Sequence, residues 1–550
     1  MICDLLIKNG TIVDGTGRSS FKGDIIVKDG RVIEIDGSAN TLGDSWEPTQ
    51  VVNAENLIVC PGFIDIHSHG DCVLPIMERP TRLSCLLEQG ITTIVGGNCG
   101  FSPAPLAENS KYLSLVQRYF ELWSGRPLDI RWATMGSFFS FLEEGGLPLN
   151  LAQLTGYGTL RKSLWGTDYA LPNEEEMQQM FQIIEESFAE GAYGLSLGLQ
   201  YEPGMYVAMK ELEDIALLVN KHNRLLTVHT KALSRASGAY QTDFMEKPHN
   251  IRAIEEMIEL AEKTGIKLQI SHLLFIGRES WPSCDQALEI IDKARSRGID
   301  VAFDVYPSHC GNTTVNIMLS EEFLKDPENS FKSPQARLQW SELMNMGWLI
   351  NGTGLEDVQL MRGSHPDLEK YEGLFFPEIG RRMNCSSNEA CLRVAEMSRG
   401  NAVCLFYMNN GEENNDEVLL KVMKHPLCTF ATDALITSGG TQNPAAFGAF
   451  PAVIQRYHKE KGIFSLEEAI AKMTGKSAER IGIKDRGSLK EGSWADITIF
   501  DYSMIRDNTT VSNTCAKPSG IKYVFVNGRE AVRDGAANIG KNYGRILKYL

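Results

Sequence analysis

The sequence predicts an α/β protein: a (β/α)8 barrel with long insertions, joined to a small β domain drawn from both chain ends. Three observations predict it. Apolar strand-like runs alternate with amphipathic helical stretches through the middle of the chain. Short strands parted by Gly-bearing turns fill residues 1–60 and return from about residue 487. A chain of 550 residues is also too long for one ordinary core, which predicts two or three domains.

Taken in order, Leu5-Leu6-Ile7, Thr11-Ile12-Val13, residues 24–27 and residues 31–35 are short apolar runs. Asn9-Gly10, Asp14-Gly15 and Asp29-Gly30 separate them and read as hairpin turns, which predicts a small antiparallel sheet. Residues 495–500 and 521–526 are strands near the other end. Neither segment has enough strands to bury both faces alone, so 1–60 and 487–550 are expected to form one sheet domain around a barrel spanning 61–486.

Within 61–486, eight strand candidates end near His69, Cys99, Tyr157, Leu199, His229, His272, Tyr306 and Asp433. Asn173-Glu174-Glu175-Glu176 forms a capping box ahead of Met180, Phe181, Ile184 and Phe188. Residues 209–222 and 250–264 keep helical apolar spacing up to stops near Asn223 and Gly265. The last barrel helix is expected from Ser465-Leu466-Glu467-Glu468 to about Ile481. Two stretches, 101–147 and 308–424, exceed any simple βα loop, and part of 308–363 is expected to cover the barrel mouth.

Composition narrows the partners. The hydrophobic fraction of 43% and charged fraction of 23% are those of a globular protein. A net charge of −16 leaves no basic stripe for nucleic acid. No uncharged apolar run is long enough for a membrane span, and the N-terminus lacks a signal-peptide pattern. The 12 cysteines are scattered without a Cys-x-x-Cys pair, which fits reduced thiols and a cytoplasmic location. The expected partner is a small-molecule substrate; a homo-oligomer is compatible with the sequence, which does not set the oligomeric state.

The chemistry collects at strand ends. Residues 61–69, Pro-Gly-Phe-Ile-Asp-Ile-His-Ser-His, read as a buried strand ending in His67 and His69, which alternation would place on one face, about 7 Å apart. His229 and His272 end two further strands, Cys99 another, and Asp433 the last. A buried cysteine can be a small hydrophobe, but a buried aspartate demands a cation or donors. The C-terminal rim is where such barrels carry their sites. Four imidazoles and a thiolate favour zinc, and six donors suffice for two ions, or one tight and one loose. Of the remaining histidines, His222, His249, His309, His365, His425 and His458 lie in helices or loops and read as packing or solvated, with His309 notable for following strand seven.

These motifs resemble the amidohydrolase superfamily. Gly97-Asn98-Cys99-Gly100-Phe101-Ser102-Pro103, Ser196-Leu197-Gly198-Leu199-Gln200-Tyr201-Glu202-Pro203-Gly204, Asp304-Val305-Tyr306-Pro307 and Gly448-Ala449-Phe450-Pro451 are similar to the D-aminoacylase (N-acyl-D-amino-acid deacylase) family. The resemblance implies a distorted TIM barrel flanked by a composite β-sandwich. It implies zinc held tightly by Cys99, His229 and His272, and a weaker position at His67, His69 and Asp433. It also implies hydrolysis of an amide C–N bond, with Asp433 handling the proton and Tyr201 and Tyr306 at the substrate end.

One departure concerns the substrate. Family members acting on N-acyl-D-amino acids clamp the carboxylate with a lysine where this chain has Leu274, and an arginine where it has Ala445. Losing two charge-assisted contacts costs roughly 1.5–3 kcal/mol each. Lys231, Arg278, Arg235 and Arg161 are the candidate replacements. A cyclic amide of the hydantoin, imide or dihydropyrimidine type, or another N-acyl compound without the usual carboxylate, needs no clamp and is the alternative substrate.

Overall fold

The computed structural model describes residues 1–37, 46–168, 170–240 and 246–549. Eight parallel strands form the barrel: β1 (Phe63–Asp65), β2 (Ile91–Gly96), β3 (Asn150–Gln153 continuing as Thr155–Gly156), β4 (Gly194–Gly198), β5 (Leu225–His229), β6 (Lys267–Ile270), β7 (Val301–Val305) and β8 (Cys428–Phe430). They pair in two arcs, β1-β2-β3 and β3-β4-β5-β6-β7-β8. β3 joins the arcs because its first half pairs with β2 and its second half with β4. The last seam, between β8 and β1, closes through side chain and loop. Thr432 N donates to Asp65 Oδ1 at 2.9 Å, and Asp433 N donates to His67 O at 2.9 Å.

The strands stop earlier than the sequence alone indicates. β1 ends at Asp65, β2 at Gly96, β3 at Gly156 and β8 at Phe430, so His69, Cys99, Tyr157 and Asp433 all lie beyond regular strand. Tyr157 instead opens the helix Tyr157–Trp165. The run leading into His67 is also split. Ile58–Pro61 belongs to the outer sheet, and Gly62 marks the crossing, where a Cβ would sit 2.2 Å from Thr92 Oγ1.

The outer sheet has nine strands and takes Ile2–Ile12, Phe21–Lys28, Arg31–Asp36, Glu47–Asn53 and Ile58–Pro61 from one chain end. Ile497–Phe500, Ile521–Val526, Arg529–Arg533 and Ala536–Ala537 come from the other. Its core draws on both, packing Leu5, Ile7, Ile25 and Val27 with Ile497, Ile499 and Phe525. Two expectations need correction. Asn9-Gly10 is no hairpin: Ile2–Ile12 is one strand with a bulge there, Asn9 adopting φ 62° while both halves keep pairing with Phe21–Lys28. The sheet is mixed, since Glu47–Asn53 and Ile58–Pro61 pair in parallel with Ile2–Ile12. The tail also leaves the sheet domain: Ile546–Leu547 pairs with β3, burying Leu547 against Ala152 and Leu154 of the barrel.

One capping box acts as read, and at Ser465 only the N-cap half of a box forms. Asn173 and Glu176 cap Glu174–Ala189 reciprocally, and Ser465 accepts from Glu468 N. The last helix is broken at Thr474, whose φ −138° and ψ −88° are not helical, into Leu466–Met473 and Gly475–Ile481, and the Gly15 carbonyl packs where a side chain at Gly475 would stand.

The long insertion has its own core. Strands Gly311–Thr314, Val358–Arg362 and Val403–Phe406 form an antiparallel sheet. Trp340, Phe323, Leu360, Phe376, Ile379 and Leu392 pack beneath it. Among the described residues no helix is long and apolar enough to cross a membrane.

Candidate metal centre

The loops leaving β1, β2, β5, β6 and β8 converge. Cys99 Sγ lies 3.3 Å from His67 Nε2, 3.7 Å from His229 Nδ1 and 3.4 Å from His272 Nε2. His229 Nδ1 and His272 Nε2 are 2.8 Å apart. Asp433 Oδ1 is 3.3 Å from both His67 Nε2 and His69 Nε2. All six side chains are buried. They form two overlapping donor groups, His67-His69-Cys99-Asp433 and Cys99-His229-His272, and the sulfur belongs to both.

The backbone is forced to achieve this. Cys99, His272 and Asp433 sit at φ 52°, 32° and 48°, left-handed conformations that side-chain-bearing residues avoid. Such residues cost of order 1–3 kcal/mol each and persist where the surroundings over-determine them. Around Cys99 the surroundings are glycine-made. A Cβ on Gly198 would meet the Cys99 carbonyl at 2.1 Å, and one on Gly97 would meet the Leu154 carbonyl at 2.1 Å. Ser196 Oγ then ties the loop down, accepting from Gly100 N at 2.9 Å and donating to Gly97 O.

A second layer fixes the rings. Gln200 Oε1 lies 2.8 Å from His229 Nε2, so that nitrogen carries the proton and the Nδ1 lone pair faces Cys99. Asp304 Oδ1 accepts from His272 N at 2.8 Å and stands 3.4 Å from His67 Nδ1, while Gln269 Nε2 donates to its other oxygen at 2.8 Å. Asp65 receives both Thr432 N and Thr432 Oγ1; burial pushes its carboxyl up to about 6 against those bonds.

Charge in the cluster is self-compensating. Burial raises the Cys99 thiol, but facing His67, His272 and His229 it is held well below the ordinary thiol range. Burial likewise disfavours charge on Asp433, yet His272, His67 and His69 keep it well below the usual carboxylate range. His69, despite burial, is pushed up to about 9 by Asp433 and Cys99. Thiolate and carboxylate are thus held by protons on imidazoles, the groups that a divalent cation displaces. The donors fit zinc: soft sulfur plus imidazole in a closed pocket, with His67 Nε2, His69 Nε2 and His272 Nε2 turned toward Cys99 or Asp433.

The other expected site residues are placed differently. Tyr201 touches the cluster, its Oη 3.4 Å from His229 Nδ1. Burial, Cys99 and Asp433 push its phenol well up, so it is a protonated donor. Tyr306 is buried and its Oη accepts from Asn409 Nδ2 at 2.7 Å, behind the rim. Lys231 is half-buried with its ammonium 5.0 Å from the Tyr240 ring centroid. Arg278 is not brought to the cluster: it is exposed and pairs with Glu412 at 2.6 Å, because the exit of the long insertion brings that acid alongside. Arg161 is buried on Glu211 and on the Asp168 and Ala170 carbonyls. Arg235 meets Ser280 through its backbone N. Leu274 and Ala445 are both buried.

Sequence reasoning missed Trp123, whose ring lies 4.2 Å from that of His69. Its spacing with Val116 and Phe120 reads only as the inner face of helix Leu113–Ser124. Gln200 and Asp304 stood inside quoted motifs, but their roles depend on where loops fold back.

The chain is similar to known proteins along its length. Residues 427–532 match the amidohydrolase family. The N-acyl-D-glutamate deacylase of Alcaligenes xylosoxydans xylosoxydans is 29% identical, over 96% of this chain and 93% of the relative. The D-aminoacylase of the same organism is 26% identical, over 99% and 97%. The crystal structure of N-acyl-D-glutamate deacylase from Bordetella bronchiseptica, complexed with zinc and a phosphonate mimic of the tetrahedral intermediate, is 27% identical and superposes with a TM-score of 0.81, covering 100% of both chains. Over nearly its whole length the chain is thus similar to the N-acyl-D-amino-acid deacylases, and its residues 427–532 match the amidohydrolase family.

Proposed function

We propose that this chain is a zinc-dependent hydrolase of the amide C–N bond in an N-acylated amino compound, with Cys99, His229 and His272 holding one ion and His67, His69 and Asp433 flanking a second, weaker position. The observation that carries it is the sulfur common to both donor groups, held in a left-handed backbone. Resemblance to deacylases over nearly the whole chain supports the same reading. When bound, zinc supplies Lewis acidity toward a water and the scissile carbonyl.

The chain's own residues supply the rest. Asp433 sits at the rim with its carboxylate ionised, ready to take the proton of the attacking water and return it to the leaving nitrogen. Tyr201 keeps its proton and offers Oη as a donor to the oxygen that becomes negative. Gln200 and Asp304 hold ring orientation and do not meet substrate through those atoms. Twelve unpaired cysteines fit the cytoplasm.

Buried, apolar Leu274 and Ala445 favour a second reading, in which the substrate is a cyclic amide without a carboxylate. One panel separates the two: zinc-reconstituted protein with N-acetyl and N-formyl D- and L-amino acids, beside a hydantoin, an imide and a dihydropyrimidine. Turnover of the D-series supports the first reading, and turnover of cyclic members alone supports the second. A chain that binds no zinc and hydrolyses none of them is not this enzyme.

A further inference from the structure

One side of the centre is walled by aromatic rings, of which the chemistry above uses only the Tyr201 hydroxyl. Trp123 stands against His69 with ring centroids 4.2 Å apart. Phe101 follows it at 4.9 Å, and Tyr201 follows Phe101 at 5.7 Å. Tyr201 returns to the cluster at His229, 4.5 Å away. The row therefore runs from a ring of one donor group to a ring of the other, flanking the place where a reacting carbonyl must sit. Phe101 is buried, whereas Trp123 and Tyr201 keep part of their surface free. A row serving only as core would be enclosed throughout.

Its charge surroundings are also distinctive. The cation packed behind this wall, Lys162, lies over the Tyr119 ring at 3.9 Å and 4.0 Å from Glu202 Oε2, so its charge is matched. On its other side Trp123 packs against Met361, Val403, Leu405 and Leu435, all apolar. The ring faces themselves offer no hydrogen-bond donor of the kind that a carboxylate needs, and they suit an uncharged group.

We propose that Trp123, Phe101 and Tyr201 form a specificity face for an uncharged aromatic or branched apolar group of the substrate. This rests on the amide-hydrolysis reading and adds to it which substrates are preferred. The group belongs to the acyl half or to the amine half of the amide, and the test has an arm for each.

The acyl arm compares N-acetyl- with N-phenylacetyl-D-alanine on the zinc-loaded full chain. The amine arm compares N-acetyl-D-alanine with N-acetyl-D-phenylalanine. We expect one arm to show a preference of roughly ten-fold or more in kcat/KM for the aromatic member, carried mainly by KM. Trp123→Ala abolishes that ratio, and Trp123→Phe retains most of it. Two flat arms overturn the proposal, as does a Trp123→Ala variant that slows aromatic and small members equally. Calorimetry with phenylacetate against acetate, and D-phenylalanine against D-alanine, reads the same face without turnover. If no amide is hydrolysed the functional reading fails, and calorimetry alone decides: tighter aromatic binding that Trp123→Ala removes upholds the face, and equal binding overturns it.

Discussion

The two halves of the centre are built by different means. The donor half hangs from five barrel strand ends, where β-pairing, glycine contacts and left-handed backbone leave each side chain one position. The wall beside it comes largely from insertions: Trp123 from the helix Leu113–Ser124, backed by Met361, Val403 and Leu405 of the long insertion, with Tyr201 added from the loop after β4. On the proposed reading, the first half should tolerate almost no change without losing the ion. The second can vary in shape while the reaction persists, which is how one reaction spreads over many substrates.

Breaking the donor half should give the largest effects. Cys99→Ala removes the one ligand that both groups share, so zinc content after dialysis should fall at both positions and hydrolysis should drop below detection; retention of two zinc ions would contradict a shared sulfur. Asp433→Asn should leave the tighter zinc in place and lower kcat by roughly 10²–10⁴-fold, the usual worth of a positioned proton acceptor. An unchanged kcat in that variant would move the proton transfer to another group.

Gln200→Leu probes the layer behind. Loss of the bond to His229 Nε2 frees the other tautomer, and zinc affinity in chelator competition should fall roughly 10–100-fold. Gln200→Glu, which keeps an acceptor there, should restore most of it. Equal affinity for wild type and the leucine variant would leave Gln200 without this role.

The smallest effect belongs to the joint between barrel and insertion. Asp416 Oδ1 meets His309 Nε2 at 3.1 Å and Oδ2 meets Lys461 at 2.5 Å. The His309 bond, with Lys461 adding to it against burial, pushes the Asp416 carboxyl down from 3.8 to about 2. A depressed acid adds stability above its unfolded value and loses it as pH falls through its folded one. The urea midpoint of wild type should therefore drop more steeply than that of Asp416→Asn between roughly pH 4 and 2. Parallel curves would show that the contact adds nothing.

The same division explains what the sequence could disclose. Strand ends carry donor-type residues in short local patterns, so His67, His69, Cys99, His229, His272 and Asp433 stand out before any fold is known. The outer sheet was legible from its turns, except where Asn9 bends a strand without ending it. Wall and second layer were not legible, because Trp123 and Gln200 gain their meaning from rings that only the folded chain brings to them, His69 and His229. A lone cation gives no local sign of its partner, and so Arg278, which Glu412 neutralises, looked available for substrate.

The long insertion carries one further consequence. Its first strand and its last lie side by side, Gly311 opposite Phe406, and its core is its own. It thus enters and leaves the barrel through a single doorway. Such a cassette could be exchanged by rejoining two neighbouring chain ends, provided that Asn312, whose Oδ1 accepts from Leu435 N at 3.1 Å beside Asp433, stays behind. Substrate range in this architecture is then open to recombination as well as to point substitution.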